Sequence, residues 1–364
     1  MKILVTGGAG FIGSAFVRLM LEAPPAPGIV NRPVNRIVNR IINIDKLTYA
    51  GNLENLEPIA RSPNYRFVQT DICDAGAVAA LLAEEKPDCI VHFAAESHVD
   101  RSIFAPSPAF ETNLRGTFTL LEAVRAQPVS RFIHISTDEV YGSLPSPLEA
   151  DENYPLNPSS PYSASKAGSD LLARSYFTTY RVPVIVTRAS NNYGPYQFPE
   201  KLIPLMISNA FEGRPLPIYG DGRQVRDWLY VDDHCRAIWA VLEKGRVGEI
   251  YNIGGSRSLA NLEVVHKILA ATGAPEALIT SVEDRPGHDR RYALSSAKIV
   301  RETGWSPQVN FEDGLARTID WYRRNAAWVA RVKSGEYRNY YARNYENRES
   351  ELRKTAGARV DPKV

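Results

Sequence analysis

Tyr162 and Lys166 stand four positions apart, the spacing that puts two side chains on one face of a helix. An ammonium held near a phenol favours the phenolate and pulls its pKa down from about 10 toward working pH. Tyr162 then becomes a base able to take a hydroxyl proton while hydride leaves the same carbon. Any Tyr-x-x-x-Lys is uninformative by itself, but this one follows Ser136-Thr137-Asp138-Glu139-Val140-Tyr141-Gly142. Thr137 can hydrogen-bond the same oxygen and steer the proton. Asp138 and Glu139 call for a second chemistry, because oxidation of an alcohol needs neither. Once a ketone has formed, the neighbouring C–H is acidic. One carboxylate can remove that proton while a second carboxylic acid protonates a departing hydroxyl. Two carboxyl groups held close separate their pKa values, since one charge disfavours the other. The pair points to elimination of water in the pocket where the oxidation occurs.

A hydride needs an acceptor, and Gly7-Gly8-Ala9-Gly10-Phe11-Ile12-Gly13 supplies a place for one. Glycines at positions 7, 10 and 13 let the backbone turn tightly and approach a pyrophosphate, whose charge sits on the following helix N-terminus. Asp45 closes the next apolar run, where a carboxylate can accept both ribose hydroxyls. An acid there repels a 2′-phosphate, so NAD is expected rather than NADP. Lys166 is placed to bind the nicotinamide ribose. Asp71-Ile72 and Phe93-Ala94-Ala95-Glu96-Ser97 end two further strands, and ligands of open α/β sheets bind at such carboxyl ends.

These residues need a scaffold that brings strand tips together, and the pattern predicts one. Apolar strands at residues 2–6, 41–45, 65–69, 89–93, 131–136 and 184–188 alternate with helices at 11–21, 75–85, 110–126 and 163–180. That alternation is the signature of a Rossmann-type, doubly wound parallel sheet covered on both faces. Pro and Gly become frequent beyond residue 190, where a smaller α/β C-terminal substrate-binding domain is expected. The expected division is residues 1–190 for the NAD-binding domain with a return segment at about 228–256. Residues 191–227 and 257–345 form the second domain, and 346–364 a polar tail; the stretch from residue 340 is expected to fray. Residues 23–40 carry Pro24, Pro25, Pro27 and Pro33 and read as a lengthened helix-to-strand loop.

The 364 residues carry a formal net charge of +2, too small to argue for nucleic acid or a membrane surface as partner. Cys73, Cys89 and Cys235 match no disulfide framework and no zinc motif, so buried reduced thiols and no metal are expected. The apolar run before Gly7 is too short for a signal peptide or a spanning helix, and a soluble, cytoplasmic protein is expected.

The chain resembles the extended short-chain dehydrogenase/reductase superfamily, and within it the dTDP-glucose 4,6-dehydratases, from residue 1 to about 345. Besides the 136–142 string, the resemblance rests on Asp45-Lys46-Leu47-Thr48-Tyr49-Ala50-Gly51-Asn52, on residues 94–102, on Ser190-Asn191-Asn192-Tyr193-Gly194-Pro195-Tyr196, on residues 198–204 and on Asp284-Arg285-Pro286-Gly287-His288-Asp289. It implies a lyase that oxidises C4 of a nucleotide-bound glucose, eliminates water across C5 and C6, and returns the hydride to C6. In that scheme Tyr162 is the first base, Glu139 takes the C5 proton and Asp138 protonates the C6 hydroxyl, giving dTDP-4-keto-6-deoxyglucose. The resemblance adds Lys46, Leu47, Thr48, Thr112 and Asn192 to the cofactor contacts. For the nucleotide sugar it implies Ser97, Thr137, Asn191, Lys201, Leu202, Pro217, Tyr219, Arg226, Asn261, Arg285 and His288. It also implies a homodimer through the helices at 110–126 and 163–180. The alternatives are another nucleotide-sugar dehydratase or an epimerase of the same superfamily, to which Asp138-Glu139 is the counter-argument, and an NAD-binding scaffold without turnover.

Overall fold

Lys2–Thr6 (β1) opens the chain, with Ile3, Leu4 and Val5 fully buried. A strand buried on both faces must lie inside a sheet covered by helices. The structure, a computed structural model, describes residues 1–21, 38–255, 257–334 and 336–357. After β1 come α1 (Phe11–Leu21), β2 (Arg40–Asp45), β3 (Tyr65–Gln69), α2 (Ala75–Glu85), β4 (Cys89–His92), α3 (Val99–Phe104), α4 (Ser107–Phe110), α5 (Thr117–Ala126), β5 (Arg131–Thr137), α6 (Pro161–Tyr180) and β6 (Val184–Ala189). The chain continues with β7 (Asn191–Tyr193), α7 (Leu202–Glu212), β8 (Leu216–Tyr219), β9 (Val225–Tyr230), α8 (Val231–Lys244), β10 (Ile250–Ile253), β11 (Arg257–Ala260), α9 (Asn261–Thr272) and β12 (Ile279–Val282). Helices α10 (Ala297–Thr303), α11 (Phe311–Arg324), α12 (Ala326–Val332), α13 (Glu336–Tyr341) and α14 (Arg348–Gly357) complete it.

Seven strands form one parallel sheet in the order β3-β2-β1-β4-β5-β6-β10. The expected doubly wound sheet is therefore present, and its apolar layers pack on both faces. The chain reverses direction of growth at β1, between β2 and β4. That is the switch point where the tips of neighbouring strands diverge and leave a crevice. A second core, built from β7, α7, β8, β9, α9 and α11, carries Ile203, Met206, Trp228, Val264, Phe311 and Tyr322 beside two small sheets.

The structure differs from the sequence expectation in three places. The helix expected over 110–126 is interrupted by a π turn at Glu111–Gly116. Asn113 is turned inward there, bonding both backbone groups of Glu96 at 2.9 and 3.0 Å and the Ser165 hydroxyl at 2.9 Å. In the return segment, only Ile250–Ile253 enters the large sheet. β9 pairs instead with β7 and β11, and Trp228 and Tyr230 face the second core, while Leu229, Val231 and α8 pack on the core of the large sheet. The stretch from residue 340 is docked rather than frayed through Leu352, with Tyr340, Tyr341, Asn344, Arg348 and Leu352 buried. Its tyrosines pack on one another and on α7, and Arg348 finds a carboxylate partner in Asp100. Most of the lengthened loop at 23–40, and the end of the tail, lie outside the described residues.

Ile133 in the middle of β5 is fully buried against both neighbouring strands. Ile133→Ala should cost about 2–5 kcal/mol from lost transfer energy and the cavity left behind. A urea unfolding midpoint within error of the parent's would show that this sheet is not the stability-determining core.

Candidate active site

The tips of β1, β2, β4, β5 and β6 open into one cavity of about 320 Å³. Gly7 sits at φ +71 and donates its N–H to Ile44 O at 2.8 Å, which ties the turn to β2. A Cβ on Gly7 would lie 2.5 Å from Ala94 N, and one on Gly13 only 2.3 Å from Gly7 O. Glycine is therefore required on steric grounds at the start of α1. Asp45 caps this loop from β2: Oδ2 accepts from Ala9 N at 3.0 Å and Oδ1 from Leu47 N at 2.8 Å. Leu47 adopts φ +59 to make that turn and, unlike the other expected cofactor contacts, does not line the cavity. Lys46 pairs with Asp71 at 3.1 Å across the tips of β2 and β3. Gly10, Phe11, Ile12, Thr48, Ile72, Phe93, Ala94, Ala95, Ser97, Thr112 and Asn192 complete the wall. The glycine cradle, the ribose-side carboxylate and the strand-tip location fit an extended dinucleotide.

Thr137, Asp138, Glu139, Tyr162 and Lys166 line the far end of the same cavity. β5 delivers the first three, with Asp138 and Glu139 in the turn that follows it. Tyr162 is the second residue of α6, whose N-terminus is fixed by a reciprocal Ser160–Ser163 cap and by Ser102 Oγ accepting from Tyr162 N at 3.1 Å. The Thr137 hydroxyl donates to Asp138 Oδ1 at 3.2 Å and accepts from Glu139 N at 3.2 Å, and Tyr162 lines the same end of the cavity. Burial and then the Glu139 charge push Asp138 well above the usual carboxylate range, and its Oδ2 has no partner. Burial raises Glu139 too, but Arg285, Lys201 and Arg226 pull it back. Both carboxyls are therefore shifted toward the neutral acid, Asp138 more strongly than Glu139.

The expectation for Tyr162 is corrected. Burial and then the Glu139 charge raise its pKa, while Thr137 opposes them. Lys166 spends its ammonium on Ile135 O at 2.7 Å, and burial lowers its own pKa to about 8. Thr137 is the neighbour that favours the phenolate.

A second cavity of about 140 Å³ continues from the first, sharing Glu139, Asn191, Glu200, Lys201, Leu202 and Trp228 with it. Pro217, Tyr219, Arg226, Asn261, Arg285 and His288 line it, so every nucleotide-sugar candidate borders one cavity or the other. Arg226 does not pair with adjacent Asp227, which accepts from Gly255 N; it bonds the carbonyls of Val225 at 2.8 Å and Asp289 at 2.9 Å. Oδ1 of Asn191, Oδ1 of Asn261 and Nε of Arg285 are buried without partners. On a cavity wall, such groups are available to a ligand or to water. The cavity also uses residues not singled out from sequence: His98, Asp100, Glu200, Trp228 and Tyr345. Glu200 lies inside the quoted 198–204 string, but its partners, Tyr49 at 3.0 Å and Arg101 at 3.2 Å, are far away in the chain.

Comparison with known proteins adds an independent line. The family model described as GDP-mannose 4,6 dehydratase matches residues 4–318. The dTDP-glucose 4,6-dehydratase of Shigella flexneri is 51% identical over 96% of this chain and 100% of its own. That of Neisseria meningitidis serogroup B is 52% identical over 93% of this chain and 97% of its own. Among solved structures, the dTDP-glucose 4,6-dehydratase of Streptomyces venezuelae with NAD bound superposes with a TM-score of 0.87 at 52% identity, covering 92% of this chain and 100% of that one. A Thermus thermophilus UDP-glucose 4-epimerase complex with NAD has a TM-score of 0.79 at 32% identity, covering 89% of this chain and 100% of that one.

The glycine cradle gives a direct test. Gly13→Ala must displace Gly7 O and should lower dinucleotide affinity at least about tenfold, given the close approach the pyrophosphate needs. Fluorescence titration with NAD reads this, with circular dichroism as the check on folding. Parent-like affinity would place the pyrophosphate elsewhere.

Proposed function

The chain belongs to the GDP-mannose 4,6-dehydratase family and, within it, to the dTDP-glucose 4,6-dehydratases, and from that premise we propose how its own residues run the reaction. It is an NAD-dependent hydro-lyase that converts dTDP-glucose to dTDP-4-keto-6-deoxyglucose. The observation that carries the mechanism is the adjacent pair Asp138 and Glu139 in one cavity with Tyr162 and Thr137, Asp138 being the more strongly shifted toward the neutral acid.

When bound, NAD supplies the acceptor and later the donor of one hydride, and brings a positive ring into the cavity. Gly7, Gly10, Gly13 and Asp45 would hold its pyrophosphate and ribose ends, and Lys166 the nicotinamide side. Arg226 and Arg285 take the diphosphate of the sugar, for which the guanidinium fork is suited. Tyr162 takes the C4 hydroxyl proton, oriented by Thr137, as hydride departs from C4. The new ketone acidifies C5, and Glu139 removes its proton. Asp138, already protonated, gives its proton to the C6 hydroxyl, and water leaves. With hydride restored to C6, Glu139 returns its proton to C5. The cycle consumes no external reductant. An epimerase on this fold would need Tyr162 but no elimination acid, and Asp138 would then be a buried carboxyl without a task.

The partner we propose for the outer face is a second copy of the chain. Phe110, Phe118, Leu171 and Tyr180 are 42–55% exposed on the neighbouring α4, α5 and α6. Apolar side chains grouped in this way suit an interface between copies. No helix among the described residues is long and apolar enough to cross a membrane. Together with three free cysteines this supports a cytoplasmic place of work.

Incubation with dTDP-glucose should yield a product lighter by one water, seen by mass spectrometry; intact hexose would sink the reading. In single turnovers Glu139→Gln should accumulate reduced-nicotinamide absorbance and lose roughly 10²–10⁴-fold in rate, the usual worth of a general base. Tyr162→Phe should show no such absorbance. Leu171→Glu should convert the dimer to monomer by light scattering, and a dimer unaffected by it would move the interface elsewhere.

A further inference from the structure

The end of the described chain packs against the nucleotide-sugar cavity. Tyr345 is part of the cavity wall, its ring stacked on Tyr219 at 6.1 Å and 28°. One turn further, Arg348 is almost wholly buried, with 3% of its side chain exposed. Its fork reaches Asp100 Oδ1 at 3.4 and 3.5 Å, and Nη1 donates to the Tyr219 hydroxyl at 3.3 Å. Nε donates to Glu283 O at 2.7 Å, immediately before the loop that carries Arg285 and His288. The opposite oxygen of Asp100 faces Arg285 Nη1 at 3.8 Å and accepts from the Tyr219 hydroxyl at 3.3 Å. His98 lies 4.0 Å from that oxygen and is held neutral by burial, so it adds no charge.

One carboxylate therefore stands between two guanidinium groups, one on each oxygen, and the three charges leave one net positive. Arg285 Nε has no partner in this arrangement. If Arg348 were absent, Arg285 could take both Asp100 oxygens in a bidentate pair, the geometry a guanidinium prefers. It would then be neutralised and turned from the cavity. With Arg348 occupying Oδ1, Arg285 keeps a donor and a share of charge for an anion.

We propose that the C-terminal arm, α13 through α14, is a working part of the nucleotide-sugar site. In it, Tyr345 forms the wall against the nucleoside diphosphate, and Arg348 is the positioning residue that keeps Asp100, Tyr219 and Arg285 set for it. The proposal rests on the dTDP-glucose reading above and extends it to residues beyond the region that carries the family strings. Arg348 also pins the 284–289 loop through Glu283 O, so one side chain fixes both the charge and the position of that loop.

The probe is dTDP, titrated calorimetrically into the full-length, NAD-loaded protein. Arg348→Ala should weaken dTDP about tenfold and raise KM for dTDP-glucose to match, a typical loss for one charge-assisted contact. The rise in KM should exceed any fall in kcat, which Arg348 can reach only through the hold of Arg285 on Glu139, and bound NAD should not change, since Arg348 does not touch the glycine loop. Arg348→Lys keeps the charge without the fork and should recover only part of the affinity. Tyr345→Leu, which removes no buried charge, should weaken dTDP while circular dichroism shows a parent-like fold. It carries the test if Arg348→Ala does not fold. Parent-like dTDP affinity in folded Arg348→Ala or Tyr345→Leu overturns the proposal. So does a loss of NAD and kcat in step with dTDP affinity, which marks a general structural role. A parent protein that neither binds dTDP nor turns over dTDP-glucose removes the underlying reading instead.

Discussion

Two adjacent carboxyl groups at one strand end, Asp138 buried and Glu139 half-buried, cannot both keep their charge cheaply, and the surrounding architecture follows from how that conflict is resolved. Burial alone disfavours ionised Asp138 and ionised Glu139, and each charge disfavours the other. Asp138 resolves it by holding its proton, close to Thr137 and with one oxygen left free. Glu139 resolves it by facing Arg285, Lys201 and Arg226. Those three cations line the neighbouring cavity, where an anionic diphosphate is to sit. The group proposed to remove a carbon-bound proton and the groups proposed to hold the nucleotide are thus one electrostatic unit, shared between the two cavities.

A second buried cluster supports the first from below. Asp170, one turn beyond Lys166 on α6, bonds Arg188 Nε at 2.8 Å and lies 3.3 Å from His134 Nε2. Arg188 in turn donates to the Tyr141 hydroxyl at 2.8 Å, which bonds Asn252. His134 and then the Arg188 and Lys166 cations hold Asp170 down to about 2 despite its burial, while burial and the Lys166 charge lower the pKa of His134 to about 4. A buried ion pair of this kind contributes little net stability, yet removing one member leaves the other uncompensated. Its position fits a role in fixing α6 against β5 and β6, and with it the direction in which Tyr162 and Lys166 point.

The sequence was most legible where local chemistry decides the structure. Glycines 7, 10 and 13 have no alternative once a backbone must pass at contact distance, and Asp45 follows from the strand that ends there. The strand-tip positions of Asp71, Phe93 and Thr137 come from alternation alone. Legibility failed where a residue's partner is remote in the chain. Arg348 and the tyrosines around it are polar by type and read as a solvated tail. Their burial depends on Asp100, which no local pattern connects to them. The π turn in the α4–α5 stretch was hidden for the same reason, since Asn113 is drawn inward by Glu96 and Ser165. The Tyr162–Lys166 spacing correctly placed both side chains in one cavity but said nothing of Ile135 O, which takes the ammonium.

Arg101 shows how the remote contacts combine. Its guanidinium lies over the Tyr49 ring at 3.6 Å and near the Tyr340 ring at 4.9 Å, and its Nε donates to Glu200 at 3.2 Å. Tyr49 belongs to the turn after Asp45, Glu200 to the segment shared by both cavities, and Tyr340 to the C-terminal arm. Tyr49 also donates to Glu200 at 3.0 Å, so the cofactor-side turn and the substrate-side segment are bonded directly. A cation over a largely desolvated ring is worth more than the same contact in water, and here it binds three segments that share no secondary structure. Opening the cofactor side therefore means breaking contacts that also hold the substrate side and the arm. That coupling suits chemistry in which the dinucleotide is oxidised again within each cycle and need not leave between turnovers.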